Sequence, residues 1–242
     1  MNLLNNFLFI ALPYVAIAVF LIGSIYRYKR NGYTYSALSS QFLEGRGAHL
    51  PLLLFHWGIL ALFVQHALAF LLPSAVVAWN SDPVRLLIHE TLAFAFGLCV
   101  FIGLIGLLAR RIRYPRLGVV TSRMDAVIEL LLVAQFFLGL WIALGYRWGS
   151  SWFAADLSPY LWSILKLDPG IGAVSALPAV IKLHVAGAFV ILGMVPFSRL
   201  AHFLVAPFHY TWRGYQQVIW YWDRKRVRAA ATAWTTTPPG NN

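Results

Sequence analysis

Four histidines fall in two long apolar stretches, His56 with His66 and His184 with His202. An ionisable side chain in a hydrocarbon layer is costly, so two in one such segment call for a reason. A lone membrane histidine is ordinarily a hydrogen-bonded packing residue. Four at matched depths point instead to metal ligation, and imidazole is a common axial ligand of haem iron. Two pairs on two helices would hold two haems and make the chain an electron carrier across a membrane.

The elements that must position them are read from hydropathy. The chain has 242 residues, 60% hydrophobic and 11% charged, outside the range of soluble domains. Five apolar runs, roughly 7–26, 50–72, 84–109, 125–146 and 180–206, are each about 20 residues or longer, the length of a bilayer-spanning helix. Backbone groups in lipid must bond internally, so these runs are expected to be helices. The fold class is all-α integral membrane, a five-helix bundle forming one domain over 1–228, with a flexible tail at 229–242. The first run lacks a basic leader and a small-residue cleavage site, and reads as a retained helix.

A net charge of +11 suggests nucleic acid until its distribution is read. Of 19 Lys and Arg, 15 fall on one side of a five-span topology, leaving Arg85, Arg147, Lys166 and Lys182 on the other. Positive residues stay cytoplasmic, which places the N-terminus outside and the C-terminus inside and leaves no call for a nucleic-acid partner. Cys99 is the one cysteine, which excludes an intrachain disulfide, covalent haem attachment through CxxCH and a cysteine-held iron–sulfur cluster within this chain. Haem here would be of b type.

Depth decides the pairing. His66 lies ten residues beyond His56, about 15 Å at the α-helical rise, and 18 residues separate His184 from His202, about 27 Å on a straight helix. The two segments run in opposite directions. His66 therefore pairs with His184 at the outer side, and His56 with His202 at the inner side. Eighteen residues are five turns, so His184 and His202 share a face, with Pro196 between them loosening the angle. Gly58, Gly187 and Gly193 are expected to give low-bulk surface for a porphyrin. His49, His89 and His209 match no pair and are read as non-ligands.

Basic residues near the inner histidines have a second use. Arg110, Arg111 and Arg199 are candidates for holding haem propionates, since guanidinium pairs well with carboxylate, against the plainer reading that they set topology alone. Glu90 and Glu129 lie within spans, near helix ends. Glu90 is a proton-exit candidate, against the plainer reading that it reaches out to water. The segment DLSPYLWSILKLDPG (156–170) reads as a short outer helix with a Ser cap and a Pro-Gly stop, covering the outer site. The stretch 208–228 mixes Trp, Tyr and Arg and reads as a docking surface or an interfacial anchor.

The stretches PYVAIAVFLIGSIYRY (13–28), SSQFLEGRG (39–47), FHWGIL (55–60) and PFSRLAHFLVAP (196–207) resemble the gamma subunit of membrane-bound respiratory nitrate reductase, over about residues 3–228. That family is a dihaem cytochrome b of the bacterial or archaeal cytoplasmic membrane. The resemblance implies two b haems, quinol oxidation near the outer one, and partners in an iron–sulfur beta subunit and a molybdenum-cofactor alpha subunit. The nitrate site would lie in the alpha subunit, with this chain drawing on the membrane quinone pool. Two positions depart from the family's pattern, Gln65 in place of glycine and Arg85 in place of a quinol-associated lysine. Both are quinol-site candidates. Arg presents a larger planar fork than Lys, so that exchange alters the pocket. The departures leave a second reading open, in which the same wire works in a nitrite-oxidising complex or with a non-quinol partner.

Overall fold

The computed structural model describes residues 3–32, 35 and 47–205. Five of its helices are long and apolar enough to cross a membrane: α1 (Leu3–Asn31), α2 (His49–Leu71), α4 (Pro83–Arg113), α5 (Arg123–Gly145) and α7 (Ala179–Phe197). Two short helices, α3 (Pro73–Asn80) and α6 (Ser158–Leu165), lie in the connections after α2 and α5. Capping follows local chemistry. Asp82 accepts from the backbone N–H groups of Val84 and Arg85 to start α4, with Pro83 at its first position. Ser122 and Asp125 form a reciprocal capping box at the start of α5.

Neighbour relations set the layout. α2 packs along α4, α4 also meets α5, α5 meets α7, and α7 meets α1. Among the described residues the helices that carry His56, His66 and His184, α2 and α7, are not an extensively packed pair. They flank α4 and α5 instead. Direct packing of α2 on α7 would leave no room for a porphyrin, so this separation is what a shared ligand between them needs.

Between helices in lipid, small residues permit close approach and dispersion does the holding. A Cβ on Gly58 would lie 2.6 Å from Val100 Cγ2, and one on Gly103 would lie 2.7 Å from the Phe55 nitrogen. These two glycines let α2 and α4 touch backbone to backbone. Gly187 meets Gln135 of α5, and Gly193 meets Ala16 of α1. The expectation that Gly58, Gly187 and Gly193 leave surface for a porphyrin is therefore corrected: all three are taken up by helix crossings.

Prolines break the helices and distant side chains repair the breaks. Pro13 has no N–H for the Phe9 carbonyl, and the chain widens into a π turn over Phe7–Ala11. Pro196 ends α7 as a 3₁₀ turn, Val195–Phe197, after which a second 3₁₀ stretch, Arg199–Val205, carries His202. The expected single straight helix from 180 to 206 is thus corrected, and with it the five-turn argument for a common face. Arg27 Nη1 donates to the carbonyls of both Pro196 and Ser198, each at 2.7 Å, and so satisfies oxygens left free by the break.

The end of the bundle where α2 finishes and α7 begins is closed by a cluster of Phe9, Ile142, Leu157, Tyr160, Ile164, Ile171, Val174 and Ile181. The short helix predicted within 156–170 is present as α6, entered through a π turn at Phe153–Leu157. Ser158 is not its cap. Its hydroxyl donates to the Phe70 carbonyl at 3.0 Å, where Trp162 Nε1 also donates at 2.9 Å. α6 is thereby fastened to the end of α2. The stretch 208–228 and His209 lie outside the described residues.

Candidate functional site: two histidine pairs

His56 and His66 lie on α2, His184 on α7 and His202 in the 3₁₀ stretch beyond it. In each, Nδ1 points at a backbone carbonyl. The partners are Leu52 for His56 at 2.8 Å, Leu62 for His66 at 2.8 Å, Gln135 for His184 at 3.1 Å and Arg199 for His202 at 2.7 Å. A carbonyl only accepts, so Nδ1 carries the proton in all four. In the neutral imidazole Nε2 then holds the lone pair that metal ligation requires, and the Nδ1 bond fixes the ring and raises its basicity.

His56 and His202 share one space. His56 and His202 both line a cavity of about 430 Å³ between α2, α4, α5 and the 3₁₀ stretch. That lies within the ordinary size range of cofactor sites. Arg110, Arg111 and Arg199 line the same cavity. Arg111 pairs with Glu129 at 3.1 Å and Arg199 with Asp125 at 3.0 Å, and Arg199 also donates to the Val120 carbonyl. Arg110 is buried at 9% exposure in the last turn of α4. A guanidinium has five N–H donors, so a cation already paired with one carboxylate still has donors for another. Two histidines from different elements lining one cavity, together with three guanidinium groups, are a donor set that fits a haem and its propionates.

His66 on α2 and His184 on α7 are the second candidate pair. Phe153, in the turn entering α6, stands edge-on to the His66 ring with centroids 5.4 Å apart. Phe153 precedes the segment 156–170 expected to cover this site; that segment instead reaches the Phe70 carbonyl at the end of α2 through Ser158 and Trp162. Gly139 of α5 faces His184, where a Cβ would come within 3.2 Å of its Cε1. Gln65, beside His66, has a buried Oε1 with no hydrogen-bond partner among the described residues. Arg85 lies at the start of α4, exposed, with its guanidinium 5.1 Å from the centroid of Trp79.

Glu90 is engaged. Its carboxylate accepts from the backbone N–H groups of Gly149 at 3.2 Å and Ser150 at 2.8 Å, and from the Ser150 hydroxyl. His89 Nδ1 donates to Asn80 Oδ1 at 3.1 Å, and Asn80 Nδ2 donates to Ser150 and Ser151. These bonds tie the α3–α4 turn to the chain after α5. Sequence reasoning missed Asp125 and Gln135. The Ser122–Asp125 spacing was the available signal for the first, and an amide in mid-span for the second.

The sequence profile of the nitrate reductase gamma subunit matches residues 5–221. The chain belongs to that family. The gamma chain of respiratory nitrate reductase 1 from Escherichia coli is 35% identical over 223 residues, covering 90% of this chain and 98% of that one. The gamma chain of respiratory nitrate reductase 2 from the same organism is 34% identical, covering 89% and 96%. The nitrate reductase gamma chain of Bacillus subtilis is 29% identical, covering 84% and 93%. As a nitrate reductase gamma subunit with five apolar helices, the chain is a multi-pass protein of the cytoplasmic membrane.

Proposed function

We propose that this gamma subunit is the membrane cytochrome b of a nitrate reductase-type complex. It oxidises quinol at the outer side and delivers electrons to a cytoplasmic iron–sulfur beta subunit and a molybdenum-cofactor alpha subunit. The observation that carries the reading is the shared state of His56, His66, His184 and His202. All four have Nδ1 committed to a carbonyl and Nε2 available, and His56 and His202 line a single cavity.

Two b haems, one on His56 and His202 and one on His66 and His184, would supply one-electron transfer through the bilayer. The chain's own residues do the rest. The carbonyls of Leu52, Leu62, Gln135 and Arg199 hold each imidazole in the ligating tautomer. Arg110, Arg111 and Arg199 place positive charge where the inner propionates would sit. Gln65 and Arg85 are the candidates for contacts to quinol, with Gln65 offering a free buried acceptor to a quinol hydroxyl. The basic-residue asymmetry supports an N-terminus outside and the inner haem at the cytoplasmic face. Residues 1–228 form the membrane domain in this reading, with 208–228 docking the beta subunit and 229–242 a tail. Glu90 is a proton-exit candidate, and an unchanged quinol oxidation rate in Glu90→Gln removes it.

The test is an anaerobic optical spectrum of the purified complex before and after a reduced quinol analogue. Reduction of b haem by quinol is the expected result. Haem reduced by dithionite and not by quinol favours the second reading, a nitrite-oxidising complex or a non-quinol partner, which Gln65 and Arg85 motivate. Absence of haem bands overturns the cytochrome assignment.

A further inference from the structure

Three of the four histidines are oriented by their own segment. His56 and His66 each bond the carbonyl four residues earlier, and His202 the carbonyl three residues earlier. His184 differs. Its Nδ1 bonds the Gln135 carbonyl on α5, 49 residues away in sequence. The same residue returns the contact, for Gln135 Nε2 donates to the His184 backbone carbonyl at 2.9 Å. One residue thus grips both the ring and the main chain of this histidine from a neighbouring helix.

Two glycines make the grip possible. A Cβ on Gly187 would lie 2.5 Å from Gln135 Oε1, so the amide reaches His184 across a surface without a side chain. A Cβ on Gly139, one turn beyond Gln135, would press on the His184 ring at 3.2 Å. The register of α7 against α5 is therefore written into the ring's position. A slide between the helices moves the His184 ring relative to its orienting carbonyl and leaves the other three imidazoles with theirs.

We propose that Gln135, with Gly139 and Gly187, is the positioning unit for His184, and that it sets the ligand field and potential of the outer haem through the α5–α7 register. The proposal rests on His184 being an outer haem ligand. An Nδ1–H bond raises imidazole basicity and favours ferric over ferrous iron. Losing the side-chain grip lets the His184–Gln135 carbonyl bond lengthen, so the preference for ferric iron falls and the potential rises.

The experiment is electron paramagnetic resonance and redox titration of the purified complex. His184→Ala comes first. It should remove one of two low-spin haem signals, which identifies the outer haem; survival of both signals overturns the ligand assignment itself. Gln135→Met keeps length and bulk and removes the amide. It should retain both haems, shift the largest g value of the outer signal and weaken its ferric preference by about tenfold, about 59 mV upward for one electron, with the inner signal unmoved. An outer signal with unchanged g values and potential in Gln135→Met overturns the proposal while leaving His184 a ligand. Should Gln135→Met fail to assemble, Gly139→Ala is read the same way. It adds one methyl against the ring, and an unmoved outer signal there is equally decisive.

Discussion

The Tyr160 hydroxyl donates at 3.0 Å to the Phe9 carbonyl, the oxygen that Pro13 leaves without a helical N–H. A fault in α1 is thus answered by α6, 151 residues later. The phenol is buried at 2% exposure, with its ring edge-on to Phe9 at 6.2 Å.

Tyr160→Phe should leave that carbonyl buried and unsatisfied, costing about 1–3 kcal/mol. Thermal unfolding of the purified complex in detergent measures it. A variant that melts with the parent removes Tyr160 from the repair.

Burial, and secondarily Tyr14, holds the Tyr160 hydroxyl above its ordinary value of 10.0. The folded group therefore stays protonated where the unfolded one ionises. Its contribution is complete below about pH 10 and falls as pH rises beyond that toward the raised folded value. Alkaline unfolding should be steeper in the parent than in Tyr160→Phe. Equal slopes would refute the linkage.

Replacing the four histidines singly should sort them into two pairs. His56→Ala and His202→Ala should each remove the same haem, and His66→Ala and His184→Ala the other. Haem content per chain and low-temperature optical spectra decide this. Loss of one haem by His56→Ala and of the other by His202→Ala would break the inner pairing drawn from their common cavity.

Gly103→Ala brings a methyl to 2.7 Å from the Phe55 nitrogen and 2.8 Å from the Pro51 oxygen, both backbone atoms that cannot turn aside. Forcing α2 from α4 should cost about 1–3 kcal/mol. Gly118→Ala, which meets nothing within 4 Å, is the control. Similar melting of the two variants would show that close approach at Gly103 carries no energy.

Asp125→Ala removes both a capping acceptor and the partner of Arg199, whereas Asp125→Asn keeps the acceptor and removes the charge. The expected losses are about 1–2 kcal/mol for the cap alone, with the asparagine variant closer to the parent. Unfolding of the two side by side tests it. Equal losses would assign the whole effect to charge.

Hydropathy by itself determined the membrane class and the five helices, because spanning a bilayer is a local requirement written into each run of about 20 apolar residues. The cost of imidazole in lipid likewise singled out His56, His66, His184 and His202 without any structure. Only the tertiary structure decided how those residues are held. It separated α2 from α7, broke the chain at Pro196 before His202, and spent Gly58, Gly187 and Gly193 on helix crossings. Orphaned carbonyls and missing side chains have no local signature, since what answers them is chosen by proximity in space. Arg27 reaches 169 residues along the chain to Pro196, and Gln135 reaches across to His184, because packing brought those groups together.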